Sequence, residues 1–208
     1  MPRSQDALAD LIAAQGLRDE RIVEAFRAVD RADFVPVGSE GGAYQDRPVV
    51  LPGEQTTSQP SLIARMIDAA APGPDDEVLE VGTGFGFQTA LLAKLCKHVV
   101  SVERLPILAE AARANLRRAG ISNVEVHVGD GWHGWTQGAP YDAIIVSAAA
   151  ESLPVELAEQ TAERGRLVIP VAGRFGDDVL LYLRKEGGLE RIGLVSPARF
   201  VPLVREDR

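Results

Sequence analysis

The residues with the most evident chemical use form a glycine turn and the polar groups that can be brought to it. The turn is Glu77-Val78-Leu79-Glu80-Val81-Gly82-Thr83-Gly84-Phe85-Gly86-Phe87-Gln88, followed by the apolar pattern Ala90-Leu91-Leu92-Ala93-Lys94-Leu95. This order reads as strand, tight turn, helix. Glycine admits positive φ and leaves no Cβ between backbone and ligand, so a sugar-bearing molecule can approach the strand end. Gly82 and Gly84 fit the dinucleotide fingerprint G-x-G-x-x-G, but Phe87 stands at its third position and Gly86 falls one residue early. That spacing favours a ligand with an adenosine and no bridging phosphates, and S-adenosylmethionine is such a ligand. A second apolar strand, Val99-Val100-Ser101-Val102, ends at Glu103, about twenty residues after the first glycine, where a carboxylate can accept both hydrogens of a ribose diol. Capping of the next helix is the alternative use of Glu103.

Hydroxyl residues supply the second group. Glu54-Gln55-Thr56-Thr57-Ser58-Gln59-Pro60-Ser61 leads into Leu62-Ile63-Ala64-Arg65-Met66-Ile67, the pattern of a helix N-terminus with proline in its first turn. Ser58 is then an N-cap, a ligand-facing hydroxyl, or both. A helix start also offers N–H groups and a positive dipole end that suit a carboxylate. Gly129-Asp130-Gly131 closes the alternating strand Val124 to Val128, and Asp130 either accepts from an adenine amino group or closes an Asx-turn. Trp132 and Trp135 can wall an adenine or simply pack. His98, His127 and His133 have neither metal spacing nor a nucleophile partner, so no metal or catalytic role falls to them. The single cysteine, Cys96, reads as a small buried hydrophobe in an apolar helical stretch and excludes a disulfide within the chain.

These groups need a sheet to hold them. Helices are expected from Ser4 to Leu17 and from Asp19 onward, and Arg31 to Gly53 is irregular, broken by Pro36, Gly38, Gly41, Gly42 and Pro48. Long irregular segments in compact domains are often functional. Pro72-Gly73-Pro74-Asp75-Asp76 turns into the glycine strand. Beyond it come a helix over Ile107 to Ala119, strands at Val124 to Val128 and Tyr141 to Ser147, a short helix over Pro154 to Gln160, and a strand Arg166 to Val171 preceded by Gly165. Val179 to Arg184 and Leu189 to Val195 flank Lys185-Glu186-Gly187-Gly188 as an edge hairpin. Alternating βα units followed by a hairpin imply an α/β fold, doubly wound and mostly parallel with an antiparallel edge, plus N-terminal helices. The ligand crevice belongs at the carboxyl ends of its first strands.

Length and charge bound the rest. A chain of 208 residues, 46% hydrophobic, suits a single domain. Within it, residues 1–75 are expected to form a helical, substrate-contacting segment and residues 76–208 the donor-binding core. A net charge of -8 argues against a nucleic-acid partner. It also means that an anionic substrate needs a local donor cluster against the overall field. The N-terminus Met1-Pro2-Arg3-Ser4-Gln5-Asp6 lacks a basic segment before an apolar core, and no apolar run approaches spanning length, so a cytoplasmic protein without a membrane partner is expected.

The order of motifs resembles the protein-L-isoaspartate O-methyltransferase family over nearly the whole chain. The matching pieces are Arg31-Ala32-Asp33-Phe34-Val35-Pro36, Ala43-Tyr44-Gln45-Asp46, Gln55-Thr56-Thr57-Ser58-Gln59-Pro60, Val78 to Gly86, Val102-Glu103-Arg104, Gly129-Asp130-Gly131, Gly165 to Val171 and Phe200-Val201-Pro202-Leu203. The Thr-Ser-Gln-Pro element and the Phe-Val-Pro-Leu element are the particular ones. The resemblance implies a Rossmann-like class I methyltransferase fold and methylation, by S-adenosylmethionine, of the α-carboxylate of isoaspartyl residues in aged proteins. The ester then collapses to a succinimide, which is a repair step. It assigns Ser58 as the active-site hydroxyl, Thr57 and Ser58 to substrate, and Gly82, Thr83, Gly84, Gly86, Gln88, Glu103, Arg104, Asp130 and Gly131 to the cofactor. A monomer without metal is expected. Phe85 and Phe87 stand where the family turn usually carries serine and tyrosine, and Thr57 where it usually has isoleucine.

Methyl transfer to a carboxylate needs little acid or base help, because the nucleophile is already ionised near neutral pH and the leaving group is a neutral thioether. Three alternatives remain at this point: an aspartate side-chain methyltransferase acting on a dedicated modified peptide, a nicotinamide dehydrogenase, and a catalytically silent binding module.

Overall fold

The computed structural model describes residues 4–205; Met1 to Arg3 of the N-terminal stretch lie outside them. Two amphipathic helices open the chain. α1 (Gln5–Ala13) starts where the Ser4 side chain accepts from the Ala7 N–H, and α2 (Glu20–Ala28) where Asp19 accepts from the Arg21 N–H. Leu8 and Ile12 on α1 and Ile22 and Phe26 on α2 are buried together. The irregular stretch that follows holds two short 3-10 turns, Arg31–Phe34 and Glu40–Gly42, and a two-stranded ribbon of β1 (Val50–Leu51) and β2 (Gln55–Thr56).

α3 (Pro60–Ala70) leads to β3 (Glu77–Val81), then α4 (Phe87–Ala93), β4 (His98–Glu103), α5 (Pro106–Arg118), β5 (Val124–Val128), β6 (Tyr141–Val146), α6 (Val155–Glu159), β7 (Thr161–Ala172), β8 (Asp177–Lys185) and β9 (Gly188–Ala198). The seven-stranded sheet has the order β5-β4-β3-β6-β7-β8-β9. Its first five strands are parallel, and β8 and β9 are antiparallel. Alternate residues of one strand feed opposite cores. Val78 packs with α1 to α5, whereas Leu79 and Val81 pack with Leu157 of α6 on the other face. The mostly parallel sheet with an antiparallel edge is the fold expected above, and the edge hairpin turns at Glu186 and Gly187.

Three local expectations need correction. β7 begins at Thr161, so Gly165 lies inside the strand and does not precede it; Arg164, at φ 64°, and a register shift against β6 mark an irregularity through which the strand continues. Cys96 lies just past α4, in the turn toward β4, and burial pushes its thiol up to about 12. Ser58 is not an N-cap: α3 begins at Pro60, and the cap position before it falls to Gln59, whose side chain makes no capping bond among the described residues.

Candidate active site

Register builds the crevice. Val81 of β3 stands beside Val102 of β4 and Val146 of β6, so the next residues, Gly82, Glu103 or its successor, and Ser147, emerge along one rim. The chain order reverses here between β3 and β6, and a sheet of this kind opens its ligand crevice at such a point. Gly82, Gly84 and Gly86 all take positive φ, 94°, 57° and 91°. A cavity of about 430 Å³ lies over this turn, within the range of small-molecule sites. Glu103, 6% exposed, faces it with both carboxylate oxygens held: Oε2 accepts from the Gly84 N–H at 2.9 Å and Oε1 from the Leu105 N–H at 3.0 Å. Each oxygen keeps a lone pair for a diol.

Beneath the turn runs a buried polar network. Glu80, fully buried, accepts from Ser101 Oγ at 2.6 Å, from Thr89 Oγ1, and from Gln88 Nε2 at 3.0 Å. Thr83 Oγ1 joins through Ser101 Oγ at 2.6 Å. Burial pushes the Glu80 carboxyl up to about 7 in spite of these donors. Gln88 Nε2 also donates to Ser147 Oγ at 3.1 Å, while Gln88 Oε1 is buried without a partner among the described residues. An orphaned acceptor in the cavity wall suits a ligand that brings an N–H group. With the glycine turn and the braced Glu103, it fits the adenosyl donor expected from the sequence.

The hydroxyl segment is held from behind by Arg31, 1% exposed. Its guanidinium donates to the carbonyls of Ala43 and Gln45 at 2.9 Å each, to that of Arg47 at 3.1 Å and to Thr57 Oγ1 at 3.1 Å. Desolvation lowers its pKa to about 10. Thr57 Oγ1 also receives the Val49 N–H at 3.0 Å, so this side chain is spent on fixing the loop. Phe87, at the missing glycine position, is buried edge-on to Phe26 at 5.7 Å and carries the Arg31 guanidinium over its face at 5.7 Å. The aromatic ring thus joins the glycine turn to the N-terminal helices.

The helix start is not free, contrary to the expectation above. Pro60 has no N–H, the Ser61 N–H donates to Asp46 Oδ1 at 2.8 Å, and those of Leu62 and Ile63 donate to the Gln59 carbonyl. The unengaged donors lie one step earlier. Among the described residues, the Ser58 hydroxyl and the N–H groups of Ser58 and Gln59 have no partner. A second cavity, about 260 Å³, opens beside them and shares Thr56, Thr57, Ser58, Ser147 and Val201 with the first. The strap from Val201 to Leu203 is pinned to Ala149 by two backbone hydrogen bonds of 2.8 and 2.7 Å, which brings the Phe-Val-Pro-Leu element to both cavities.

Of the other expected residues, Thr83, Gly131 and the exposed Arg104 line the larger cavity; Asp130 does not. Asp130 Oδ1 accepts from the Trp132 N–H at 2.8 Å, closing the Asx-turn that sets Gly131 against β3. A Cβ on Gly131 would lie 2.3 Å from Val81 Cγ1, so packing alone demands glycine there. Neither tryptophan reaches the cavity: Trp135 stacks on His127 at 3.9 Å and Trp132 lies under Arg205. Arg31, Asp46, Glu80 and Ser147 were not singled out from sequence. Ser147 alone carried a usable signal, as the first polar residue after an apolar strand parallel to the glycine strand.

A family model described as protein-L-isoaspartate(D-aspartate) O-methyltransferase matches residues 3–208. A protein-L-isoaspartate O-methyltransferase of Methanoregula boonei is 44% identical over 98% of this chain and 94% of its own length. Its counterpart in Methanoculleus marisnigri is 47% identical over 93% and 87%. Among solved structures, a protein-L-isoaspartate O-methyltransferase superposes with a TM-score of 0.85 at 28% identity, over 95% of this chain and 65% of that one. A Plasmodium falciparum protein described as a protein-L-isoaspartate O-methyltransferase beta-aspartate methyltransferase, solved with S-adenosyl-L-homocysteine, shares the fold at a TM-score of 0.83 and 23% identity, over 99% and 100%.

Proposed function

Because this chain belongs to the protein-L-isoaspartate(D-aspartate) O-methyltransferase family, and so is an S-adenosylmethionine-dependent methyltransferase of isoaspartyl residues, we propose that its larger cavity takes the donor and its smaller one the isoaspartyl group, with Ser58 between them. Membership also removes the dehydrogenase reading. The observation that carries the assignment is the shared wall of the two cavities, where the Ser58 hydroxyl and two N–H groups have no partner among the described residues.

In this reading Glu103 receives the ribose hydroxyls, Gly82, Thr83, Gly84 and Gly86 form the turn around the methionine part, and Gln88 Oε1 accepts an N–H. Arg104 flanks the site, Gly131 borders the adenine, and Asp130 acts by shaping that border. Bound S-adenosylmethionine supplies an electrophilic methyl group. The chain supplies position. Ser58 Oγ and the N–H groups of Ser58 and Gln59 hold one oxygen of the acceptor carboxylate and leave the other directed at the larger cavity. Arg31 keeps that segment in place, and no residue need take a proton, since the carboxylate is ionised at neutral pH.

Residues 1–75 then present the acceptor side of a single domain and residues 76–208 the donor side, with the strap at Val201 contributing to both. A cytoplasmic monomer acting on isoaspartyl proteins completes the reading; no helix among the described residues is long and apolar enough to cross a membrane. The test is incorporation of labelled methyl groups into an isoaspartyl peptide and into its aspartyl counterpart. Label in the isoaspartyl peptide, released as methanol by mild base, is the expected result. Label in the aspartyl peptide alone would reject the reading.

A further inference from the structure

We propose that Ser147 is a second hydroxyl that grips the acceptor carboxylate, its proton aimed by Gln88. Ser147 follows β6, its N–H donates to the Val81 carbonyl at 2.8 Å, and its side chain lies under the glycine turn, where a Cβ on Gly82 would come within 3.2 Å of Ser147 Cβ. Like Ser58 it borders both cavities.

The direction of its hydrogen bond follows from its neighbours. Gln88 Nε2 is 3.0 Å from Glu80 Oε1, so the amide nitrogen turns toward the carboxyl group, and its second hydrogen reaches Ser147 Oγ at 3.1 Å. Ser147 Oγ is thereby the acceptor of that bond. A serine hydroxyl has one proton to give, and the Ser147 proton has no recipient among the described residues. It can only be directed into the junction. Against a net charge of -8, an incoming carboxylate depends on local donors, and a carboxylate with its four lone-pair directions can take Ser58 and Ser147 together. Two hydroxyls, one from the loop before α3 and one from the end of β6, then fix the plane of the group as well as its place.

This inference rests on the proposed function, and the experiment separates the two. Calorimetric titration of an isoaspartyl peptide into enzyme saturated with S-adenosylhomocysteine reads the acceptor site without turnover. Ser147→Ala is expected to weaken peptide binding about tenfold, the worth of one hydrogen bond to a charged group, and to change the affinity for S-adenosylhomocysteine less than about twofold on the same scale. Ser147→Thr should restore peptide affinity, whereas Ser147→Val, of the same shape without the hydroxyl, should not. Peptide affinity unchanged in Ser147→Ala overturns the proposal, as does a loss confined to S-adenosylhomocysteine or equal behaviour of the threonine and valine variants. A parent enzyme that never methylates an isoaspartyl peptide rejects the functional reading first, and this proposal with it.

Discussion

Glu80→Gln tests whether the buried carboxyl beneath the glycine turn governs the stability of this fold. Desolvation raises the Glu80 pKa from an ordinary 4.5 to about 7, with the nearby Glu103 adding to the effect and the three donors opposing it. Between those values the folded protein binds a proton that the unfolded chain has released, so stability is greatest below the lower value and falls as pH rises through the upper one. At about 1.4 kcal/mol per pH unit, the folded state loses about 3 kcal/mol between pH 4.5 and 7.5 from this one group. Glutamine keeps the volume. Its Oε1 can still accept from Gln88, and its amide can donate to Ser101 Oγ, which then turns its own proton to Thr83 Oγ1, since either atom of that pair can be the donor. Urea unfolding of both proteins at pH 5 and pH 8 measures the effect. The parent should lose about 2.5 kcal/mol more than the variant across that interval, since part of the effect already lies below pH 5. A difference that is flat with pH, or a parent that gains stability relative to the variant as pH rises, would show that Glu80 stays ionised throughout and that desolvation does not dominate here.

Ser58→Ala should lower kcat/KM for an isoaspartyl peptide about 10- to 100-fold through loss of a charge-assisted hydrogen bond, with S-adenosylhomocysteine affinity nearly unchanged by calorimetry; an unaltered rate would remove Ser58 from the mechanism. Glu103→Gln should weaken S-adenosylhomocysteine binding about 10- to 100-fold, because a neutral amide can accept with only one of its two end groups; fluorescence titration decides it. Arg31→Met leaves the carbonyls of Ala43, Gln45 and Arg47 without their buried donor, at a cost of about 3 kcal/mol by denaturant unfolding. Gly131→Ala places its methyl against Val81 Cγ1 and should destabilise by about 1 to 3 kcal/mol, with Val81→Ala in the same chain recovering part of the loss as a coupling energy in a double-mutant cycle.

The alternation of strand and helix, the antiparallel edge and the glycine turn were legible from residue order, because side-chain period and backbone freedom are local properties. The turn residues Gly82 and Gly84 and the strand-end Glu103 could therefore be placed on the wall of the larger cavity before any coordinates, whereas Gly86 backs onto Ala112 and Leu116 of α5 instead. Asp130 and the two tryptophans could not, since a turn residue that shapes a pocket and one that touches its ligand have the same local sequence. Nor could the contacts that fix the hydroxyl segment: Asp46, fifteen residues before Ser61 in the chain, accepts from the helix start that local pattern left open, and Arg31 reaches across the loop to hold Thr57. Ser147 joins Gln88 across 59 positions. Sequence by itself determined which elements form and which strand ends carry polar groups, whereas only tertiary packing decided which buried donor meets which acceptor, because a hydrogen bond is a matter of ångströms between residues that the chain alone leaves far apart.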